Sequence, residues 1–187
     1  MKKVLLSLVL FCAFIGANAQ DFKPFKLGLG VGYAVSSGEG AKGGVLLYLE
    51  PAYRVNDQIA VGLRVESALM ARGSSDALGN GEFSVSGNTS YTVNGQYYFS
   101  NGTFRPFVGL GLGLFGLASV SSDNVELAAA ETKFGFYPRV GFDLGHFSLN
   151  LEYNIIPATE IDGSDTKVQN SYAGIKLGFF LFGGRKS

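Results

Sequence analysis

The chain has 187 residues, of which 16% are charged, and its 15 basic residues balance its 15 acidic ones. This balance argues against a nucleic-acid partner, which would favour a strongly basic face. A water-soluble domain usually has about a quarter of its residues charged, so this chain has too little charge for an ordinary water-facing exterior. The single cysteine, Cys12, excludes a disulfide within the chain.

The N-terminus has the pattern of a secretory signal peptide. Lys2-Lys3 precedes an apolar stretch over residues 4–15, which is too short to span a bilayer, and Ala17-Asn18-Ala19 has the small-x-small form of a cleavage site. We therefore expect residues 1–19 to be removed and residues 20–187 to form a single domain, with 13 basic and 15 acidic residues.

From residue 25 onward the apolar residues alternate with a period of two, which indicates strands with one apolar face. The clearest example is the run over residues 147–155, in which every second residue from Phe147 to Ile155 is apolar and those between are Ser, Asn, Glu and Asn. The same alternation predicts seven further strands, over residues 27–35, 45–54, 59–66, 90–99, 108–114, 134–143 and 172–181. Residues 106–122 are uncharged, but a membrane helix needs about 20 residues and disfavours alternate glycines, so a strand is predicted there too.

The connections between the predicted strands alternate in length. Short turns are expected at Asn56-Asp57, Asn101-Gly102 and Gly145-His146. Longer polar loops are expected over residues 36–42, 72–83, 121–132 and 157–169. Short turns on one rim and long loops on the other are typical of bacterial outer-membrane barrels.

The polar face of the strands decides between a membrane barrel and a soluble barrel. A soluble barrel would need a dense covering of charged residues on that face, yet here it consists mainly of Gly, Ser, Asn and Tyr. The apolar face instead forms a band of Leu, Val, Ile and Phe that ends in aromatic residues, among them Tyr33, Tyr53, Tyr97, Phe99 and Phe147. The sequence therefore predicts an all-β fold: an eight-stranded antiparallel up-and-down transmembrane β-barrel in the outer membrane. Its long loops would be extracellular, and its short turns and C-terminus periplasmic.

Three stretches resemble a known family. Residues 133–143, residues 147–156 and the closing strand are similar to small Gram-negative outer-membrane β-barrels of the OmpA and OmpX type, which are porin-like in architecture. Within the closing strand, Tyr172, Gly174, Leu177 and Phe179 resemble the terminal assembly signal of such barrels, although Leu177 stands where an aromatic is usual. The resemblance implies two partners: outer-membrane lipid, and the barrel-assembly machinery during biogenesis.

The polar face contains a set of charged residues that we expect to meet inside the barrel. These are Glu50, Arg54, Arg64, Glu66, Arg139, Asp143, Glu152 and Lys176. Because eight strands enclose a lumen that side chains can fill, they are expected to form a paired network that plugs it. The alternative is a gate, in which the pairs exchange and briefly open a narrow channel.

No catalytic, metal or cofactor motif emerges. His146, the only histidine, falls in a short turn, and the alternating glycines near residues 28 and 109 lie within strands rather than at a strand-to-helix turn. The long loops are acidic and could collect divalent cations or contact a partner. Their acidic residues are Glu39, Asp76, Glu82, Asp123, Glu126, Glu131, Glu160, Asp162 and Asp165, against Lys42, Arg72 and Lys167.

We therefore expect a non-enzymatic barrel with a structural or interaction role through its loops, either alone or as a subunit of an envelope complex with another envelope protein. The alternative function is a narrow passive pore for water, ions or very small solutes.

Overall fold

A computed structural model describes residues 21–37, 41–75, 81–121, 131–160 and 167–184. The predicted signal peptide over residues 1–19 lies outside the described residues. The strands are β1 (Phe25–Ser36), β2 (Ala41–Arg54), β3 (Ile59–Ser75), β4 (Gly81–Tyr98), β5 (Phe104–Ser121), β6 (Glu131–Leu144), β7 (Phe147–Asn154), β8 (Thr159–Glu160), β9 (Lys167–Val168) and β10 (Tyr172–Phe182).

Eight of the strands form a closed barrel in which each pairs with its neighbours in the chain. The order is β1-β2-β3-β4-β5-β6-β7-β10, and β10 pairs antiparallel with β1 to close the ring. The predicted eight-stranded antiparallel fold is thus confirmed. β8 and β9 form a separate two-stranded sheet in the last long connection. Across the described ranges, no helix is long and apolar enough to cross a membrane.

The side chains alternate between a lumen and an outer surface, as the period of two requires. In the middle of β7, Leu151 is 52% exposed on the outer surface, whereas Asn150 is only 3% exposed because it faces the lumen. The outer surface is a band of exposed Leu, Val, Ile, Phe and Tyr residues contributed by every barrel strand. The structure therefore has the predicted faces, with the apolar side chains on the outer surface and the polar ones in the lumen.

The short connections have local features that explain where the chain reverses. Between β2 and β3, the Asn56 side-chain oxygen accepts hydrogen bonds from the backbone N–H groups of Gln58 at 2.9 Å and Ile59 at 2.7 Å. Between β6 and β7, Gly145 has a φ of +60°, a conformation that glycine adopts without the steric penalty of a Cβ atom. All three predicted short turns lie on one rim, which we call the short-turn rim. The other is the loop rim.

The strands run further into the predicted loops than polarity suggests. β3 and β4 continue to the pair Ser75↔Gly81, although a loop was expected over residues 72–83. β5 likewise extends to Ser121. Backbone pairing needs no apolar side chains once a strand has left the apolar band, so the alternation in the sequence ends before the strands do.

Candidate functional site in the lumen

The structure places all eight of the predicted interior charges inside the barrel. Glu50, Arg54, Arg64, Glu66, Arg139, Asp143, Glu152 and Lys176 are each 5% exposed or less. Two further cations join them, Lys26 at 1% and Arg105 at 2% exposed. Charged groups removed from water to this extent require partners, and their contacts divide the lumen into three layers.

The middle layer is centred on the carboxylate of Glu50. Arg139 donates to both of its oxygens, at 2.8 Å and 3.0 Å, and Arg64 donates from Nε at 2.8 Å. The side-chain amide of Gln96 donates to it as well, at 3.1 Å. Arg139 therefore pairs with Glu50 rather than with Glu152, which lies opposite it in the β6–β7 ladder.

The same layer continues from Arg64 towards the loop rim. Arg64 Nη1 contacts Glu152 at 2.6 Å and Glu66 at 3.6 Å. Lys176 donates to both of these carboxylates, and the hydroxyl of Tyr172 donates to Glu66 at 3.0 Å. Five strands, β2, β3, β6, β7 and β10, are thus linked by one continuous set of ion pairs.

Towards the short-turn rim, a fourth cation, Lys26, extends the network. The ammonium group of Lys26 lies 3.0 Å from Asp143 and donates to the hydroxyl of Tyr98 at 2.7 Å. The Tyr98 hydroxyl in turn lies 2.8 Å from Asp143 and 2.7 Å from the Gln96 side-chain oxygen. Through Gln96 this group joins the Glu50 cluster.

The layer at the short-turn rim consists of two arginines and an aromatic ring from the segment before β1. Phe22 is 7% exposed and contacts the guanidinium groups of Arg54 and Arg105, whose Cζ atoms are 5.1 Å and 3.8 Å from its ring centroid. The backbone N–H of Phe22 donates to the carboxylate of Asp57 at 3.2 Å, which holds this segment against the rim. Arg54 donates to the carbonyls of Lys23, at 3.0 Å, and Gly183.

The layer at the loop rim is apolar. Leu46, Met70, Phe115 and Ile156 are 5% exposed or less, and they form one cluster with Ala34, Ala68, Tyr48, Tyr137 and Tyr172. Glycines make room for the tyrosines. A Cβ atom on Gly111 would lie 2.1 Å from the Tyr137 ring, and one on Gly178 would lie 2.1 Å from the Tyr48 hydroxyl.

The middle layer contains a small cavity. It has a volume of about 10 Å³ and is bordered by Glu50, Arg139 and Asn150, among others. Arg139 Nε and Asn150 Oδ1 have no hydrogen-bond partner among the described residues. A volume of this size with polar groups around it suits a single water molecule, rather than a continuous aqueous path.

Sequence reasoning missed Lys26, Arg105 and Phe22. The first two continue the period of two outward from the predicted strands, because Lys26 stands two residues before Gly28 and Arg105 two residues before Phe107. Extending the alternation past the last apolar residue would have found both. Phe22 precedes the first strand, and nothing in the alternation indicates that it folds back over the rim.

The remaining predicted features lie away from this network. His146 is exposed, and its Nδ1 lies 2.7 Å from the Phe180 carbonyl while its ring stacks on Phe179. Within the ranges that the structure describes, no group of three His, Cys, Asp or Glu residues could hold a metal ion.

Of the acidic loop residues, Glu131 accepts a hydrogen bond from Thr159 at 2.8 Å and pairs with Lys133 at 3.1 Å. The other loop charges lie outside the described residues or side chains: Glu39, Lys42, Arg72, Asp76, Glu82, Asp123, Glu126, Glu160, Asp162, Asp165 and Lys167.

The residues of the expected assembly signal divide between the two faces of β10. Tyr172 and Gly174 face the lumen, whereas Leu177 is 62% and Phe179 40% exposed on the outer surface. Phe179 belongs to an aromatic cluster near the short-turn rim, with its ring centroid 5.4 Å from that of Phe147.

Comparison with known proteins gives the same architecture. The family described as "Outer membrane protein beta-barrel domain" matches residues 4–179. Neisserial surface protein A is 16% identical, with 85% of this chain and 97% of that chain covered and a TM-score of 0.57. The attachment invasion locus protein Ail of Yersinia pestis is 14% identical, with 86% and 98% covered and a TM-score of 0.48. No curated protein sequence matches the chain. At these identities the similarity to Neisserial surface protein A shows the fold alone.

Proposed function

The chain belongs to the outer membrane protein β-barrel domain family, and from this premise we propose that it is a non-enzymatic barrel with a closed lumen. Its role is structural or interactive: the barrel is an anchor in outer-membrane lipid, and its loops contact the environment or another envelope protein. The barrel-assembly machinery inserts it with the loop rim outside the cell. The short-turn rim and the C-terminus then lie in the periplasm, which is how barrels of this class are built.

Three layers of buried side chains in the lumen are the observation that supports this proposal. An apolar cluster containing Leu46 and Phe115 lies at the loop rim, ion pairs around Glu50 and Arg64 lie in the middle, and Phe22 packs against two arginines at the other rim. An ion that crossed the barrel would have to displace side chains in all three layers. Each displaced charge would lose its partner in an environment of low dielectric, which is costly.

Conductance of the purified protein in planar bilayers tests the closed lumen. We expect little or no steady current from the unmodified barrel. Arg139→Ala vacates space in the middle layer and should raise the current, whereas Lys133→Ala, at the loop rim, should not. Large, steady open-channel currents from the unmodified protein would overturn the proposal and favour the narrow pore.

The interactive part of the role calls for a different measurement. Gentle solubilisation of the envelope, followed by native electrophoresis and mass spectrometry, should recover the barrel with one envelope protein in fixed proportion if it is a subunit of a complex. Recovery of the barrel alone, at the mass of a monomer, would contradict the subunit role and leave a free-standing anchor.

The second candidate function, a passive pore for water or very small solutes, has one observation in its favour. The cavity of about 10 Å³ beside Arg139 and Asn150 provides a place for a water molecule inside the network. If neighbouring ion pairs exchange, water could pass from one such place to the next. Proteoliposomes that shrink faster than protein-free liposomes under an osmotic gradient, without ionic current, would support this function.

A further inference from the structure

A second cavity opens at the short-turn rim, among the residues of the layer that lies there. It has a volume of about 110 Å³ and is bordered by Phe22, Arg54, Arg105, Asp143, His146 and the backbone of Gly183. A water molecule occupies about 30 Å³ in the liquid, so there is room for a small polyatomic group.

The guanidinium group of Arg105 is held rigidly at this cavity. Its Nε donates to the carbonyl of Ser100 at 3.2 Å, and its Nη2 donates to the carbonyl of Asp57. Two aromatic rings pack against it, with the Cζ atom 3.8 Å from the centroid of Phe22 and 4.1 Å from that of Tyr98. The third nitrogen, Nη1, is buried and has no hydrogen-bond partner among the described residues. A fixed guanidinium with one unused N–H edge is prepared to bind an oxyanion.

The charge around the cavity is also suited to an anion. Arg54 and Arg105 both border it, and each is 3% exposed or less. Among the described residues that line it, Asp143 is the one carboxylate, and the ammonium group of Lys26 lies 3.0 Å from it. Lys26 thus compensates Asp143, and both arginines bring positive charge to the lining. The second oxygen of Asp143, Oδ1, has no partner among the described residues and can accept a hydrogen bond from a ligand that also carries a donor.

We propose that this cavity binds a phosphate group, supplied either by a small solute or by a lipid headgroup at the adjoining membrane surface. Phosphate matches the planar donor edge of an arginine, has the size of the cavity, and in its protonated form can also donate to Asp143 Oδ1. The site shares Phe22, Arg54 and Arg105 with the layer at the short-turn rim, but binding of phosphate there does not depend on whether the barrel conducts.

Nuclear magnetic resonance of the refolded barrel tests the proposal in two arms. In maltoside micelles, which contain no phosphate, inorganic phosphate is titrated while the backbone amides of Gly145, Gly183 and Gly184 and the Nε of Arg105 are followed. In nanodiscs, the same signals are compared between phosphatidylglycerol and a phosphate-free glycolipid. Saturable shifts in micelles identify a small phosphate as the ligand, and shifts confined to phosphatidylglycerol identify a headgroup. In both arms the backbone amide signal of Gly174, which lies inside the barrel, should not shift.

Variants separate a built site from general attraction of anions to a basic rim. Arg105→Gln should weaken binding at least about tenfold, as expected for the loss of a charge-assisted hydrogen bond. Lys23→Gln, which removes the same charge from an exposed side chain at the same rim, should leave binding within about twofold. If Arg105→Gln does not fold, Arg105→Lys keeps the charge and removes the planar donor edge, and it should also weaken binding. The absence of saturable shifts in both arms of the unmodified protein, or equal losses in the Arg105 and Lys23 variants, would overturn the proposal.

Discussion

Arg139 on β6 and Glu50 on β2 are 89 residues apart in the chain and form a two-point ion pair across the lumen, with nitrogen–oxygen distances of 2.8 Å and 3.0 Å. Both side chains are buried. Glu50 also accepts from Arg64 at 2.8 Å, so one carboxylate joins two cations from different strands. The barrel is therefore held together across its interior as well as along its backbone ladders.

Removing one partner of this pair should lower the free energy of unfolding by more than the intact pair contributes to it. Arg139→Met removes one partner and leaves the Glu50 carboxylate buried with less compensation, for which about 3–5 kcal/mol of unfolding free energy is a typical loss. The double variant, with both Arg139→Met and Glu50→Met, should lose less unfolding free energy than the two single variants lose together. Because the chain has no tryptophan, urea unfolding in lipid vesicles is best followed by circular dichroism or by gel mobility.

Lys133→Met is the matched control for this experiment. Lys133 pairs at the loop rim with Glu131, whose side chain is 47% exposed, and it also donates to the carbonyl of Ala158 at 2.6 Å. Solvent screens the ion pair, and Lys133→Met leaves no carboxylate buried without a partner, so the loss should be smaller. Equal losses for Arg139→Met and Lys133→Met, or losses at residues 50 and 139 that simply add, would contradict a coupled interior pair.

The second prediction concerns the lipid-facing surface. Leu151→Arg places a charge on the outer face in the middle of β7, and it should cost about 2–4 kcal/mol near the centre of the bilayer. Asn150→Ser, one residue away but inside the barrel, should cost much less. Arginine would not be a suitable control at residue 150, because this position borders a cavity of only about 10 Å³ and a longer side chain would not fit. Equilibrium folding titrations in vesicles compare the two variants, and the reverse order of losses would mean that the register of β7 is wrong.

The third prediction concerns the fit between glycines and tyrosines in the lumen. Gly111→Ala would bring a Cβ atom within 2.1 Å of the Tyr137 ring, which is buried and whose hydroxyl lies 3.2 Å from Thr92 Oγ1. Overpacking of this kind costs about 1–3 kcal/mol. A Cβ atom on Gly95, which lies between the outward-facing Val93 and Tyr97, would meet nothing within 4 Å, so Gly95→Ala should be neutral or stabilising. Thermal or urea unfolding of both variants should show this contrast, and a neutral Gly111→Ala would mean that the ring can move aside.

The sequence predicts the barrel and the direction of its side chains well because both follow from one local rule, the alternation of faces. Leu151 and Asn150 could be assigned from their neighbours alone. Partners within the lumen follow no local rule. Arg139 lies directly opposite Glu152 in the β6–β7 ladder, yet its ion pair is with Glu50 from the other side of the barrel. Which carboxylate pairs with Arg139 depends on the tilt of the strands and on the lengths of the competing side chains.

The contacts at the short-turn rim also follow no local rule in the sequence. Phe22 reaches its position through a backbone hydrogen bond to Asp57, and Arg105 through carbonyls of two turns, so both depend on segments that meet only when the barrel closes. These contacts involve irregular chain, where neither periodicity nor composition specifies a partner.

The last prediction separates assembly from stability in β10. Phe179 and Leu177 project outward near the end of the strand, where an assembly factor could reach them, whereas Tyr172 points inward and donates to Glu66. Phe179→Ala should therefore reduce the folded fraction in cells, and Leu177→Phe, which restores the usual aromatic, should increase it. Tyr172→Phe removes one buried hydrogen bond and should lower stability by about 1–3 kcal/mol without slowing assembly.

Two measurements on the same three variants make this distinction. The folded fraction in cells is the proportion of heat-modifiable protein shortly after synthesis, and the intrinsic folding rate is measured in vesicles without any assembly factor. Phe179 also packs against Phe147 and His146, so some loss of stability in vesicles is expected for Phe179→Ala. If Phe179 acts in assembly, Phe179→Ala should reduce the folded fraction in cells by a larger factor than it reduces the folding rate in vesicles. Leu177→Phe should raise the folded fraction in cells and leave the folding rate in vesicles unchanged. If the two measurements change in parallel for every variant, Leu177 and Phe179 act through packing at the lipid-facing surface, and the terminal signal lies elsewhere in the chain.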